Sequence, residues 1–139
     1  VEDLTGDNQL YNEKTKEKED AKKRIMFWSL PDILVITLKR FNNNARKDQR
    51  LIDFELENFD LSDLIVGYDK ESYVYDLYGI CNHSGGTLGG HYTSFIKNNN
   101  GKWYHCNDTN VTEVAESTIK TPKAYCFFYR KKKWDKIYI

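Results

Sequence analysis

His91 and Asn107 are the residues of this sequence best placed to do chemistry. His91 follows Ser84-Gly85-Gly86-Thr87-Leu88-Gly89-Gly90 and opens a strand-like run, and Asn107 closes the next such run 16 residues later. Between them, Asn98-Asn99-Asn100-Gly101 ends in an Asn-Gly pair that favours a tight hairpin turn. An antiparallel hairpin brings its two outer ends together, so a base and an amide would stand side by side at the end of a sheet. The amide oxygen of Asn107 can then accept a hydrogen bond from one ring N–H of His91, which fixes the tautomer and aims the other nitrogen at a thiol. Glycines before the base would let an extended substrate backbone approach closely, with no Cβ in the way. A substrate ending in small residues suits such a slot. The same residues also fit a half-exposed histidine beside an ordinary glycine turn.

A thiol is the partner such a base requires. The chain has three cysteines, Cys81, Cys106 and Cys126. Cys81 lies one loop before His91, Cys106 adjoins Asn107, and Cys126 stands between Tyr125 and Phe127. None is placed at a helix start or beside a cation that would lower its pKa, so each reads as a small core residue. Three widely spaced cysteines make no disulfide framework, which suits a reducing compartment inside the cell, cytoplasm or nucleus. A zinc set drawn from Cys81, His83, His91, His105 and Cys106 fails on geometry. His105 and Cys106 are adjacent in a strand and face opposite sides.

These residues need a sheet to hold them. In Ile33–Phe41 the residues Leu34, Ile36 and Leu38 share one strand face. A polar loop follows, from Asn42 to Asp48. Leu51–Phe54 reads as a short strand, and Asp60–Ile65 as one helical turn. From Ser72 the pattern is almost pure β. Strands are predicted at Tyr73–Cys81, His91–Lys97, Lys102–Asn107 and Ala124–Arg130, with a loop of four glycines over 82–90. Glu113–Ile119 reads as a short helix that Pro122 stops. Residues 12–24 read by propensity as a charged helix or a mobile connector. Without internal repeats or βαβ alternation, the expected architecture is an antiparallel sheet with little helix.

Composition narrows the function. The 139 residues fit one domain with a real core. With 21 Lys and Arg against 21 Asp and Glu, nothing draws the chain to nucleic acid or to an anionic membrane. A content of 40% hydrophobic and 14% aromatic residues is too rich for a disordered tail. No apolar stretch approaches a membrane span, and Val1-Glu2-Asp3 is not a signal peptide. Such a start fits a piece of a longer protein.

Five segments in order resemble the ubiquitin-specific protease family. They are Leu30-Pro31-Asp32-Ile33-Leu34-Val35-Ile36-Thr37-Leu38-Lys39-Arg40-Phe41, then Tyr75 to Gly85, Gly89-Gly90-His91-Tyr92-Thr93, Lys102 to Asp108, and Ala124 to Tyr129. The resemblance implies an α+β, sheet-dominated fold, the C-terminal half of a papain-like cysteine protease domain. Residues 1–28 would be a fingers-like segment and 29–139 the palm sheet. It implies His91 as general base, Asn107 as its orienter and Asp108 as a neighbouring carboxylate. Gly89, Gly90, Tyr92 and Tyr125 would line the channel for the C-terminal tail of ubiquitin. The nucleophilic cysteine would lie in an N-terminal half that these residues do not include, so the isolated chain would be inactive. Ubiquitin, ubiquitinated proteins and that N-terminal half are the implied partners. Many members carry Cys-x-x-Cys after a tyrosine in the fingers. Here the stretch is Tyr11-Asn12-Glu13-Lys14-Thr15, so no metal and no other cofactor is expected. The same alignment makes 16–28 a β-ribbon, against propensity. A scaffold that holds ubiquitin without cutting it is the alternative.

Overall fold

In a computed structural model, which describes residues 1–68 and 73–132, the chain divides into two units, Val1–Ser29 with Asp63–Lys70 and Leu30–Ser62 with Glu71–Ile139. Ser72, where the β-rich pattern begins, lies outside the described residues.

The first unit is a ribbon. It holds strands β1 (Glu2–Leu4), β2 (Leu10–Asn12), β3 (Glu17–Glu19) and β4 (Ala21–Lys23). β2 pairs with β3 and β1 with β4, both antiparallel. The β-ribbon reading holds and the helical reading of 12–24 does not. The turn decides it: Asn12 Oδ1 accepts from the Lys14 amide at 3.0 Å, and Lys16 takes a left-handed φ of 62°. Asn12 Nδ2 and Thr15 Oγ1 both donate to the Glu19 carboxylate, at 2.9 and 2.6 Å. These two hydrogen bonds hold the Glu19 carboxyl below its usual range. Cross-strand pairs Lys22–Asp3 and Lys23–Glu2 are exposed at 3.7 Å, and such pairs add little. The backbone ladder and the turn therefore specify the ribbon.

The second unit is built on one antiparallel sheet. Its strands are β5 (Ile33–Thr37), β6 (Phe59–Asp60), β7 (Val74–Gly86), β8 (Gly89–Lys97), β9 (Trp103–Asn107), β10 (Asn110–Val114) and β11 (Ala124–Lys131). The order across the sheet is β10-β9-β8-β7-β11-β5, with β6 beside the start of β7. Among the described residues helix is limited to short 3-10 turns such as Ser62–Leu64 and Glu116–Thr118, so the expected sheet-dominated class holds.

Several boundaries differ from the sequence reading. The glycine segment is not a loop, because β7 runs to Gly86, β8 starts at Gly89, and Thr87-Leu88 alone makes the turn. β5 ends at Thr37 rather than Phe41, because the Arg40 amide bonds back to Leu38 O at 2.9 Å and turns the chain. Leu51–Phe54 forms no strand. Phe54 instead lays its ring against Phe127 at 4.6 Å. The start of the expected helix, Glu113, belongs to β10, which pairs with β9 along its whole length.

One face of the sheet carries the core. Tyr75, Leu77 and Ile80 of β7, Phe127 and Tyr129 of β11, Trp103 of β9 and Ile119 are all buried. Burying such a side chain fully contributes about 1.5–3 kcal/mol. The polar tips find acceptors: Tyr75 O–H donates to Pro31 O and Tyr129 O–H to Glu55 O, each at 2.7 Å. Burial pushes both phenols up to about 12. Two bulges bend the sheet, with Tyr125 the extra residue on β11 and Tyr78 the extra residue on β7.

Leu77, 1% exposed, gives a direct check on this core. Leu77→Ala should lower the free energy of urea unfolding by about 2–5 kcal/mol. Elemental analysis should find no stoichiometric zinc, since Asn12 and Thr15 offer no thiolates; about one zinc per chain would overturn that. The ribbon should also respond to acid. Glu19's carboxyl is lowered on folding, so its contribution is complete above about pH 4.3 and is lost as pH falls through the lowered value. Amide exchange at Lys16 and Glu17 would report the loss, and Glu19→Gln should remove that pH dependence.

Candidate active site

The β8–β9 register decides which side chains meet. Ser94 opposes Cys106 and Phe95 opposes His105. Alternation along each strand then puts His91, Thr93 and Phe95 on one face with His105 and Asn107. His91 Nε2 lies 2.6 Å from Asn107 Oδ1. An amide oxygen can only accept, so His91 carries its proton on Nε2 and presents a lone pair at Nδ1. The two residues are diagonal neighbours rather than direct partners, which still lies within reach of long side chains. A cavity of about 550 Å³ opens here, lined among others by His91, Asn107, Thr93, His105, Asn82 and Lys123. A larger hollow of about 870 Å³ follows residues 39–50 and contains neither thiol nor imidazole.

Asp108 is not drawn into the pair. It starts the two-residue turn between β9 and β10 with a left-handed φ of 50°, a conformation that aspartate tolerates better than most residues. Its carboxylate forms no hydrogen bond with His91 or Asn107. The sharp turn, rather than strand alternation, sets its direction.

The glycines play distinct parts. Gly85 has φ +109°, and a Cβ there would meet Gly89 O at 2.6 Å and Gly90 Cα at 2.7 Å. A Cβ on Gly90 would overlap the His83 ring and Ser84 O, so its missing side chain makes room for this chain's own histidine. Gly86 and Gly89 both have open space around them. Tyr92 opposes His83 across β7–β8, on the strand face opposite His91. Its ring sits 4.7 Å from that of His83 and 6.5 Å from that of Tyr125.

The cysteines also sit away from the base. Cys126 opposes Cys81, Cys81 opposes Ser94, and Ser94 opposes Cys106, so all three share one row. Ser94 is three residues from His91, which places that row on the other face. Burial, and then the neighbouring Cys126, push the Cys81 thiol up.

Sequence reasoning gave Asn82 and Lys47 no part in the site and weighed His83 only as a zinc ligand. Asn82 is 2% exposed and its Oδ1 has no partner among the described residues. His83 is 5% exposed and contacts Lys47. A polar loop residue and two polar positions inside a strand give no local signal; only the register brings them together.

The family model described as ubiquitin carboxyl-terminal hydrolase matches residues 8–129. The chain belongs to this family. Ubiquitin carboxyl-terminal hydrolase 9 of Arabidopsis thaliana is 40% identical over 134 residues, covering 94% of this chain and 15% of that protein. Ubiquitin carboxyl-terminal hydrolase 15 of Homo sapiens is 37% identical over 134 residues, covering 94% and 14%. Among solved structures, the SAGA Ubp8/Sgf11/Sus1/Sgf73 DUB module bound to ubiquitin aldehyde superposes with a TM-score of 0.78 at 27% identity, covering 94% of this chain and 31% of that one. The chain thus spans about a seventh of the curated relatives it matches.

The tautomer of His91 is open to direct measurement. Nitrogen NMR should show the hydrogen on Nε2. Asn107→Ala should erase that preference and Asp108→Ala should leave it; the reverse result would give the orienting role to Asp108.

Proposed function

We propose that this chain is the base-bearing part of a cysteine-type deubiquitinase. Its domain would hydrolyse the bond after the C-terminal glycine of ubiquitin, with a nucleophilic cysteine supplied from outside these 139 residues. The observation that carries the reading is the 2.6 Å contact between His91 Nε2 and Asn107 Oδ1, which leaves Nδ1 free to take a thiol proton. The names of the family and its relatives support the same reaction class, and so does a structural neighbour bound to ubiquitin aldehyde.

In the proposed mechanism His91 Nδ1 accepts the thiol proton and the thiolate attacks the carbonyl carbon. The imidazolium then protonates the leaving amine, and water releases the acyl group with His91 again acting as base. Asn107 holds the ring throughout. A neutral amide suffices because a thiol, with pKa near 8.5, ionises far more readily than a serine hydroxyl. Asp108 would act through the turn or a bound water. The open backbone at Gly89 would receive the small tail of ubiquitin, with Gly90, Tyr92 and Tyr125 shaping its path. The site of action would be the cytoplasm or nucleus, and ubiquitinated proteins would be the substrates.

A fluorogenic ubiquitin C-terminal amide tests this in the full-length protein. His91→Ala should abolish turnover, and Asn107→Ala should lower it by about 10²-fold, the scale of lost acid–base assistance. The 139 residues alone should show none. Turnover by them that disappears on mutating Cys81, Cys106 or Cys126 would overturn the proposal. A full-length protein that binds ubiquitin without cleaving it would be a scaffold instead.

A further inference from the structure

We propose that His83 and Lys47 are positioning residues: the neutral His83 ring, pinned by the Lys47 ammonium, latches the loop around residues 40–50 to the glycine hairpin before His91, and protonation of His83 releases it. Lys47 Nζ reaches across to β7, donating to His83 O at 2.7 Å and to His83 Nδ1 at 2.9 Å. Facing an ammonium, Nδ1 can only accept, so the ring is neutral and holds its hydrogen on Nε2. That edge of the ring fills the place where a Cβ of Gly90 would stand. Any shift of His83 is therefore felt by the backbone one residue before the catalytic base.

Among the described residues, no carboxylate pairs with the His83 ring to hold a second proton. Phe41, Tyr92 and Tyr125 put aromatic rings around His83, with centroids at 5.9, 4.7 and 5.8 Å. Lys123 meets it through a carbonyl that accepts the His83 amide at 2.9 Å. The carboxylate nearest in sequence to Lys47, Asp48, is engaged by Arg50. Lys47 meanwhile feels the buried Arg40. Burial and then Lys47 lower the His83 pKa, and burial and then Arg40 lower that of Lys47. A group lowered on folding gives its stabilisation above its unfolded value, about 6.5 for histidine, and loses it as pH falls through the folded value. The latch is closed at neutral pH and opens on the acid side.

The test has an arm that does not need turnover, because the kinetic consequence rests on the function proposed above. In the full-length protein, hydrogen exchange of residues 42–47 and 85–91, corrected for intrinsic rates, is followed from about pH 8 to about pH 5. Wild type should lose protection in both segments together, in one step below about pH 6.5. Lys47→Met should remove the step and loosen both segments at every pH. His83→Asn, which keeps an acceptor near Nδ1 but cannot titrate, should stay protected without a step. With the fluorogenic ubiquitin amide, Lys47→Met should raise KM about 10-fold, the scale of one lost charged hydrogen bond, and leave kcat within about twofold. Exchange that shows no step in wild type, or that Lys47→Met leaves unchanged, overturns the latch. An active wild type with no step removes the latch and keeps the hydrolase reading. An inactive wild type with the coupled step supports the latch and removes the hydrolase reading.

Discussion

The register of β7, β8 and β9 is the constraint on which the site depends. Ile80 opposes Phe95, and Phe95 opposes His105. That row seats Ile80 and Phe95 in the core, 1% and 8% exposed, so its position is fixed by apolar burial. His91 and Asn107 then follow at steps of two, on the same face. A slip of one residue would turn Phe95 to solvent and send His91 to the wrong side. The core and the base are held by one decision.

Arg40 performs a comparable task for the neighbouring loop. Its guanidinium is 3% exposed and is met by carbonyls rather than a carboxylate: Nε donates to Ala124 O at 2.6 Å, and Nη1 to Asp48 O at 3.0 Å and Arg50 O at 2.9 Å. Burying a charge this way is costly unless every donor is used, and Nη2 has no partner among the described residues. The rigid fork ties three backbone points on β11 and the loop with one side chain, which a lysine ammonium cannot match. The result is a loop that ends β5 early and carries Lys47 to β7.

What the sequence made legible follows from the range of each signal. The Asn98–Gly101 turn and the alternation on either side of it are local, and they delivered the His91–Asn107 pair. The glycine segment misled because glycine is both a loop former and a residue of close approach. Here Gly90 is dictated by the ring of His83, a residue of the partner strand. β10 was hidden because Val111, 62% exposed, and Glu113 have no core face to advertise; pairing with β9 makes the strand. Asp108 lies just past the end of β9, where a left-handed φ of 50° at the turn gives alternation no hold on it. Lys47 and His83 are 36 residues apart in sequence, beyond any periodicity argument.

The sheet separates two chemistries by its faces. One face carries Thr93, Phe95, His105 and Asn107 with His91, the other Cys81, Cys106 and Cys126 with His83 and Tyr92. A thiol on the second face would have to cross the sheet to reach Nδ1 of His91, which no rotamer allows. Under the function proposed above, a nucleophile serving His91 would approach from the cavity side, while Cys81, Cys106 and Cys126 lie in one row on the other face. Gly90 is the point where the faces communicate, since its backbone lies against His83 and leads directly into His91. A residue with a side chain there would displace His83 and disturb the base by the same movement.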